Sequence, residues 1–190
     1  MPSRSLLLWQ TQRQRQLDGV ERAHAAVAGT GRGRHYATEQ VNRAYAVLLA
    51  SQFQGFCRDL HSEAADVLAN ATTPASLGPM MRERLIAGRQ LDRGNAHPGS
   101  IGSDFGRFFT IPFWEELDAA SLRFEQRRAQ LDALNAWRNA IAHQDFVGVG
   151  LVRLRVAQVR LWRAACRDLA RAFDRVLRRR LRTLVGSRPW

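Results

Sequence analysis

One segment of the chain combines residue types that could act on a phosphodiester bond. Arg138 is followed directly by Asn139 and, with four residues between, by His143. A histidine can take the proton from a ribose 2′-hydroxyl because imidazole ordinarily titrates close to neutral pH. A planar arginine can hold a phosphate and stabilise the charge that builds on it in the transition state. This pattern therefore suits metal-independent RNA cleavage, which leaves a 2′,3′-cyclic phosphate and a 5′-hydroxyl.

The segment also carries the pattern of an amphipathic helix, with Leu131 and Leu134 on its apolar face. Arg138 falls on that face, where an arginine is costly unless it has a partner or faces an opening. His143 lies about 140° around a straight helix from Arg138, so the two side chains cannot meet within one helix. They can meet across a two-fold axis, and Asn139 shares a face with His143 and can orient its imidazole. The spacing predicts a homodimer with the motif near its axis.

Ordinary structural roles are the alternatives for the same two residues. Arg138 could cap helix carbonyls or form a surface ion pair with Asp132 or Asp145. A histidine near a helix end, such as His143, is often a capping or exposed residue.

The Arg-Asn-x-x-x-His segment resembles the hallmark of the HEPN superfamily, small α-helical domains with an arginine, four to six residues and a histidine. The run of residues 41–49, continuing to Phe56, is similar to the first core helix of stand-alone bacterial members, so the resemblance covers roughly residues 38–185. The chain departs from that pattern at Gln52 and Gln54, where an acidic residue is expected.

The resemblance implies an all-α, HEPN-like fold and a metal-independent endoribonuclease that needs no cofactor and acts as a homodimer. Such proteins are commonly toxins or defence effectors that cut cellular RNA, which implies an antitoxin or regulatory protein as a further partner. The catalytic residues would be Arg138, Asn139 and His143. The alternative is a non-catalytic helical module that uses the same fold to bind RNA or a protein.

The charge of the chain is concentrated at one end. The net charge is +12, and all 29 basic residues are arginine. Residues 151–190 hold 12 of these arginines and only two acidic residues, Asp168 and Asp174, whereas residues 1–150 are nearly balanced. Such asymmetry indicates an anionic partner, and RNA phosphates are favoured over a merely solvated helix face. The predicted RNA-binding residues are Arg171, Arg175, Arg178, Arg179 and Arg180.

The elements that must position these residues are predicted to be helical almost throughout, in an all-α bundle of about four to five helices. Residues 1–34 form a somewhat separate N-terminal helix and a glycine-rich linker at Gly29–Gly33, and residues 35–190 form the HEPN-like domain. Thr38 is expected to cap the first core helix. The further expectations are a short helix over 77–91, a loop over 93–104, an aromatic turn over 105–113, two helical stretches over 114–143 and a last helix over about 152–184.

Composition excludes several protein classes. A chain of 190 residues with 45% hydrophobic content suits one globular domain with its own core. Two distant cysteines, Cys57 and Cys166, exclude a disulfide scaffold and are expected to be buried. The apolar runs are too short to cross a bilayer or to act as a secretory signal, so the expected compartment is the cytoplasm. No metal site is expected.

Overall fold

The computed structural model describes residues 1–28, 34–72, 74–119, 121, 123–150 and 153–190, and these residues contain helices and no strands. The helices are α1 (Arg4–Leu8), α2 (Gln14–Val27), α3 (Arg34–Thr72), α4 (Gly78–Ile86), α5 (Pro98–Gly106), α6 (Phe113–Asp118), α7 (Arg123–His143) and α8 (Val156–Val185). A π-helical turn over Trp9–Arg13 joins α1 to α2, and short 3₁₀ turns cover Gln90–Asp92 and Val147–Val149. The expectation of an all-α protein is confirmed.

The core forms where the two longest helices, α3 and α8, pack against each other. Phe53 of α3 and Phe173 of α8 meet with ring centroids 6.1 Å apart, and both rings are fully buried. The predicted apolar seam of the last helix is confirmed over its described part, because its members are buried. These are Val159, Trp162, Cys166, Leu169, Phe173 and Val176. The seam residue expected at Val152 lies outside the described residues.

The N-terminal helices contribute to this same core. Trp9 is fully buried, and its ring lies 5.6 Å from that of Phe53 and 5.7 Å from that of Phe56. The Glu63 carboxylate of α3 accepts the backbone N–H groups of Arg4 and Ser5 at 2.9 and 3.0 Å. The segment expected to be somewhat separate is therefore packed onto α3, while the linker expected at Gly29–Gly33 lies outside the described residues.

Other boundaries differ from the sequence-based expectation. Eight α-helical segments occur in the described residues, rather than four or five. The number is higher because short helices of five to nine residues precede the long ones or lie between them. The helix α3 begins at Arg34, so Thr38 lies inside it and does not cap it. Only the first part of the loop expected over 93–104 lacks helical structure, because residues 98–104 belong to α5. His97 accepts the N–H groups of Gly99 and Ser100, and Pro98 occupies the first turn, where proline is well tolerated.

The helix that carries the candidate site, α7, runs antiparallel to α8. Arg127 near the start of α7 pairs with Asp168 at 2.8 Å, whereas Trp137 nearer its end packs on Trp162, with ring centroids 6.4 Å apart. Later residues of α7 thus meet earlier residues of α8. The predicted break between two helical stretches is confirmed, since α6 ends at Asp118 and α7 begins at Arg123. None of the helices in the described residues combines the length and the apolar character needed to cross a membrane.

Candidate active site

Arg138 lies half-buried on α7, on the turn that follows the buried residue Leu134. Its Nη1 donates a hydrogen bond to Oδ1 of Asn139 at 3.3 Å. In the part of the chain that the structure describes, Arg138 forms no ion pair, and the exposed Asp132 and Asp145 do not pair with it. A guanidinium that is partly withdrawn from water and lacks a carboxylate partner retains its donors for an anion.

Asn139 is held by a residue from a different part of the chain. Nδ2 of Asn95 donates to Oδ1 of Asn139 at 2.6 Å, so this one amide oxygen accepts from both Asn95 and Arg138. The hydrogen bonds of Asn139 thus orient the arginine. Among the described residues none joins Asn139 to His143, although Asn139 was expected to orient that imidazole.

Asn95 is the residue of this array that sequence reasoning missed. It lies in the connection between the 3₁₀ turn and α5, and this connection is fixed on both sides. Nδ2 of Asn135 on α7 donates to the Ala96 carbonyl at 3.1 Å, and Nε2 of Gln54 on α3 donates to the carbonyls of Leu91 and Gly94. No motif relates Asn95 to Arg138, because 43 positions separate them and only the fold brings them together.

His143 is the last residue of α7, and its side chain is exposed. The chain leaves the helix through Gln144, whose φ of 56° lies in the left-handed region that residues other than glycine rarely adopt. The backbone N–H of Asp145 donates to the Ala140 carbonyl at 3.0 Å, which closes a Schellman-type turn. His143 is therefore fixed at the point where the helix stops.

The turn after His143 is anchored by Phe146. Its ring lies 6.3 Å from the Trp137 ring and 4.4 Å beneath the guanidinium carbon of Arg43 on α3. A cation over an aromatic face at this distance is attracted by the ring quadrupole. The end of α7 is thus held against α3 by side chains that do not belong to the Arg-Asn-x-x-x-His motif.

The relation between Arg138 and His143 follows from their helix. Both belong to α7, five positions apart, which corresponds to about 140° of rotation and about 7.5 Å of rise. Asn139 and His143 share the exposed stripe, whereas Arg138 lies closer to the core. Within one chain, the two expected catalytic side chains therefore point in different directions.

The five predicted RNA-binding arginines all lie on α8, but they do not share one environment. Arg171 and Arg175 are exposed, and neither forms an ion pair within the described residues. Nη1 of Arg178 donates to the Met1 carbonyl at 3.1 Å, and Arg179 pairs with Glu116 at 3.1 Å. Arg180 turns toward the protein, where its Nε donates to the Phe108 carbonyl at 2.8 Å.

The predicted RNA-binding arginines lie in the second half of α8, the part of that helix that is remote from the motif of α7. Because the two helices are antiparallel, His143 is level with the start of α8, near Val156. Arg175 and Arg182 then lie about 30 and 40 Å further along α8. Asn139 also lies about 160° around α7 from Trp137, the residue that packs on α8. The structure does not bring the two predicted sites together.

The two cysteines and Asp59 have structural roles. Cys57 and Cys166 are free and buried as predicted, and burial raises the pKa of both thiols. Asp59, a neighbour of His61 in sequence, is occupied by an ion pair with Arg13 at 2.6 Å. No cluster of three or more metal-ligating side chains occurs in the described portion of the chain.

Comparison with known proteins gives no assignment: no family model, no curated protein and no solved structure matches this chain.

Proposed function

We propose that the protein is a metal-independent endoribonuclease that acts as a homodimer. The observation that carries the proposal is the array on α7. Arg138 is half-buried without an ion pair among the described residues, it is oriented by Asn139, and the exposed His143 follows at the end of the same helix. Of the ordinary alternatives, the surface ion pair of Arg138 with Asp132 or Asp145 is absent from its described contacts, whereas His143 is exposed at a helix end, as its own alternative also expects.

The chemistry assigns a role to each side chain. His143 takes the proton from a ribose 2′-hydroxyl, and the freed 2′-oxygen attacks the adjacent phosphorus. The bond from phosphorus to the 5′-oxygen breaks, and that oxygen takes a proton from solvent water while His143 returns its proton to solvent, which yields a 2′,3′-cyclic phosphate and a 5′-hydroxyl. Arg138 neutralises the charge on the phosphate oxygens as the transition state forms. Asn139 and Asn95 keep the guanidinium in one orientation.

The homodimer is proposed because one chain presents Arg138 and His143 in different directions. A two-fold axis beside α7 would let Arg138 of one copy face His143 of the other. The resemblance to the HEPN superfamily supports the same arrangement and extends the proposal to a toxin or defence effector in the cytoplasm. An antitoxin or regulatory protein would then be the second partner.

The test is RNA cleavage by the purified protein in the presence of EDTA. We expect wild type to cut RNA and to leave cyclic phosphate ends, because neither His143 nor Arg138 needs a metal. His143→Ala and Arg138→Ala should each lose at least about 100-fold in cleavage rate, the usual contribution of a general acid–base or charge-stabilising group. Both variants should keep the circular dichroism spectrum and unfolding midpoint of wild type.

Matched controls are available for both residue types. His24→Ala on α2 and Arg84→Ala on α4 remove the same side chains from helices that do not carry the array. Both controls should cut RNA at the wild-type rate. Equal cleavage by wild type, His143→Ala and Arg138→Ala would overturn the enzymatic proposal.

A second candidate function is a non-catalytic module that binds RNA. It is favoured by Arg167, Arg171 and Arg175, which are exposed on α8 at one-turn intervals and form no described ion pair. This candidate predicts that wild type binds single-stranded RNA with a steep dependence on salt and leaves it intact. The endoribonuclease proposal predicts cleavage of the same RNA, so one incubation followed by gel analysis separates the two candidates.

A further inference from the structure

Five arginines surround one pocket at the end of α8 that is remote from His143. The pocket has a volume of about 440 Å³, and Trp190 forms part of its wall. The arginines are Arg175, Arg178, Arg179, Arg182 and Arg188. A pocket of this size lies within the range that small-molecule ligands occupy.

The pocket is lined by arginines on one face of α8 and by the reversed tail, residues 187–190, which follows that helix. Arg175, Arg178 and Arg182 recur at steps of three and four, so they lie on one face of α8. Gly186 then adopts a left-handed conformation, with φ of 71°, and its N–H donates to the Arg182 carbonyl at 3.0 Å. The chain turns back at this point, so that Arg188 and Trp190 line the same pocket as the arginines of α8.

Trp190 fixes the reversed tail. Its ring is partly buried and packs against the hydrophobic core, which holds residues 187–190 close to α8. Its indole Nε1 is buried without a hydrogen-bond partner in the described structure. One of the residues that line the pocket is therefore an aromatic side chain anchored on the core.

The positive charge around this pocket is poorly compensated. Of the five arginines, only Arg179 forms an ion pair within the described residues, with Glu116 at 3.1 Å. Arg178 donates to the Met1 carbonyl, which satisfies a donor but does not neutralise the charge. Like charges gathered at one concave surface repel one another, and a bound anion relieves this repulsion.

We propose that this arginine pocket binds a polyphosphate group, as found on a nucleoside 5′-triphosphate or on the 5′-triphosphate end of an RNA. The arginines converge on one pocket from two chain segments, so they match several negative charges held close together. A continuous RNA backbone distributes its charges along the strand and would match the open stripe of Arg167 and Arg171 instead. The site lies about 30 to 40 Å from the level of His143 along α8, and it does not depend on cleavage activity.

Binding is measured by isothermal titration calorimetry at one fixed salt concentration with four probes. Inorganic triphosphate and GTP present the polyphosphate as free molecules. A short RNA with a 5′-triphosphate presents the polyphosphate at a strand end. The same RNA with a 5′-hydroxyl lacks the polyphosphate. The His143→Ala variant serves as the protein, so that RNA is not consumed and the result is independent of the proposed nuclease.

We expect inorganic triphosphate and GTP to bind, and the 5′-triphosphate RNA to bind at least tenfold more tightly than the 5′-hydroxyl RNA. If the triphosphate RNA binds more tightly than GTP, the source of the group is an RNA end. If GTP binds as tightly, the source is a free nucleotide. Either result supports the polyphosphate site.

Arg182→Gln combined with Arg188→Gln removes one pocket arginine from α8 and one from the residues after it, and both side chains are exposed. This double variant should weaken triphosphate binding at least tenfold, because each lost charge-assisted hydrogen bond is a large share of the affinity. The matched control is Arg167→Gln with Arg171→Gln, which removes the same charge from α8 outside the pocket. The control should change triphosphate binding less than twofold.

Three results would overturn the proposal. The first is that none of the polyphosphate probes binds. The second is equal affinity for the 5′-triphosphate and the 5′-hydroxyl RNA, which would make the pocket part of a general backbone-binding surface. The third is an equal loss of triphosphate binding in the pocket variant and in its control, since binding would then follow total charge.

Discussion

At the scale of single residues, His61 is a titratable side chain enclosed by the core. It is fully buried, its Nε2 lies 3.2 Å from the Asp104 carbonyl, and the rings of Phe105 and Phe108 pack against it. Because the facing group is a carbonyl acceptor, Nε2 carries the proton of the neutral ring. Burial lowers the pKa of His61 to about 4, with the nearby charge of Arg89 acting in the same direction.

The lowered pKa of His61 predicts a loss of stability in mild acid. Between pH 6.5 and 4 the unfolded chain binds a proton at His61 that the folded chain does not, so the free energy of unfolding falls as the pH falls. The loss attributable to this residue is up to about 3 kcal/mol, from about 1.4 kcal/mol per unit of pKa. Urea unfolding at pH 7 and pH 4.5 measures it.

His61→Gln is the control for that experiment, since glutamine keeps a donor for the Asp104 carbonyl and does not titrate. This variant should have a smaller difference in unfolding free energy between the two pH values than wild type. A difference as large as that of wild type would mean that other groups, and not His61, cause the acid sensitivity.

At the scale of elements, α7 and α8 end in the same backbone conformation with different residues. Gln144 after α7 and Gly186 after α8 both have positive φ, at 56° and 71°. Glycine adopts this conformation without steric cost, whereas a residue with a Cβ pays about 1 kcal/mol. The strained residue is Gln144, which directly follows His143. Strained backbone of this kind is often found at functional sites.

The two turns predict opposite effects of exchanging the residues. Gln144→Gly should raise the free energy of unfolding by up to about 1 kcal/mol. The gain is reduced by the loss of the hydrogen bond that Gln144 Nε2 donates to the Ile141 carbonyl. Gly186→Ala should lower it by about 1 kcal/mol. Thermal unfolding of both variants checks the pair, and a stabilising Gly186→Ala would contradict the left-handed turn at that position.

Helix interiors were predictable from the sequence, whereas helix starts and the partners of the site were not. The seam from Val159 to Val176 follows directly from apolar spacing, because a long helix must bury one face. The start of α3 and the existence of α5 did not follow. His97 before Pro98 resembles a loop in sequence, and it starts a helix only because the His97 ring accepts backbone N–H groups.

The candidate site shows the same division. Arg138 and His143 are visible in the sequence because they lie five positions apart on one helix. Asn95 is not, because its contact with Asn139 depends on how the connection before α5 packs on α7. Likewise, the arginine-rich end of the chain is evident from composition. The fold, however, decides the environment of each arginine. Arg180 donates to the Phe108 carbonyl, whereas Arg175 and Arg182 line a pocket.

At the scale of the whole molecule, the proposed homodimer can be tested by complementation. Arg138→Ala and His143→Ala are each inactive alone if every site takes its arginine from one copy and its histidine from the other. In a mixed dimer of the two variants, one of the two composite sites is intact. An equimolar mixture, unfolded and refolded together, should therefore recover about a quarter of wild-type cleavage.

A mixture that stays inactive, although mixed dimers form, would contradict the composite site and place Arg138 and His143 in one chain's site. Mixed dimers can be verified by giving the two variants different affinity tags and purifying with both in sequence. The same preparation measures the oligomeric state by light scattering, and a monomer that cuts RNA would also contradict the composite site.

The hydrogen bond from the Ser3 N–H to the Asp174 carboxylate, at 2.9 Å, spans 171 residues of sequence and has a consequence for synthesis. A ribosome that adds roughly 5–20 residues per second makes Asp174 about 10 to 30 seconds after Ser3. Trp9 can pack on Phe53 and Phe56 within that interval, but the face of α3 that meets Phe173 has no cover until α8 emerges. We therefore expect the growing chain to expose an aromatic surface on α3 until α8 is made, and to be bound by ribosome-associated chaperones during that interval.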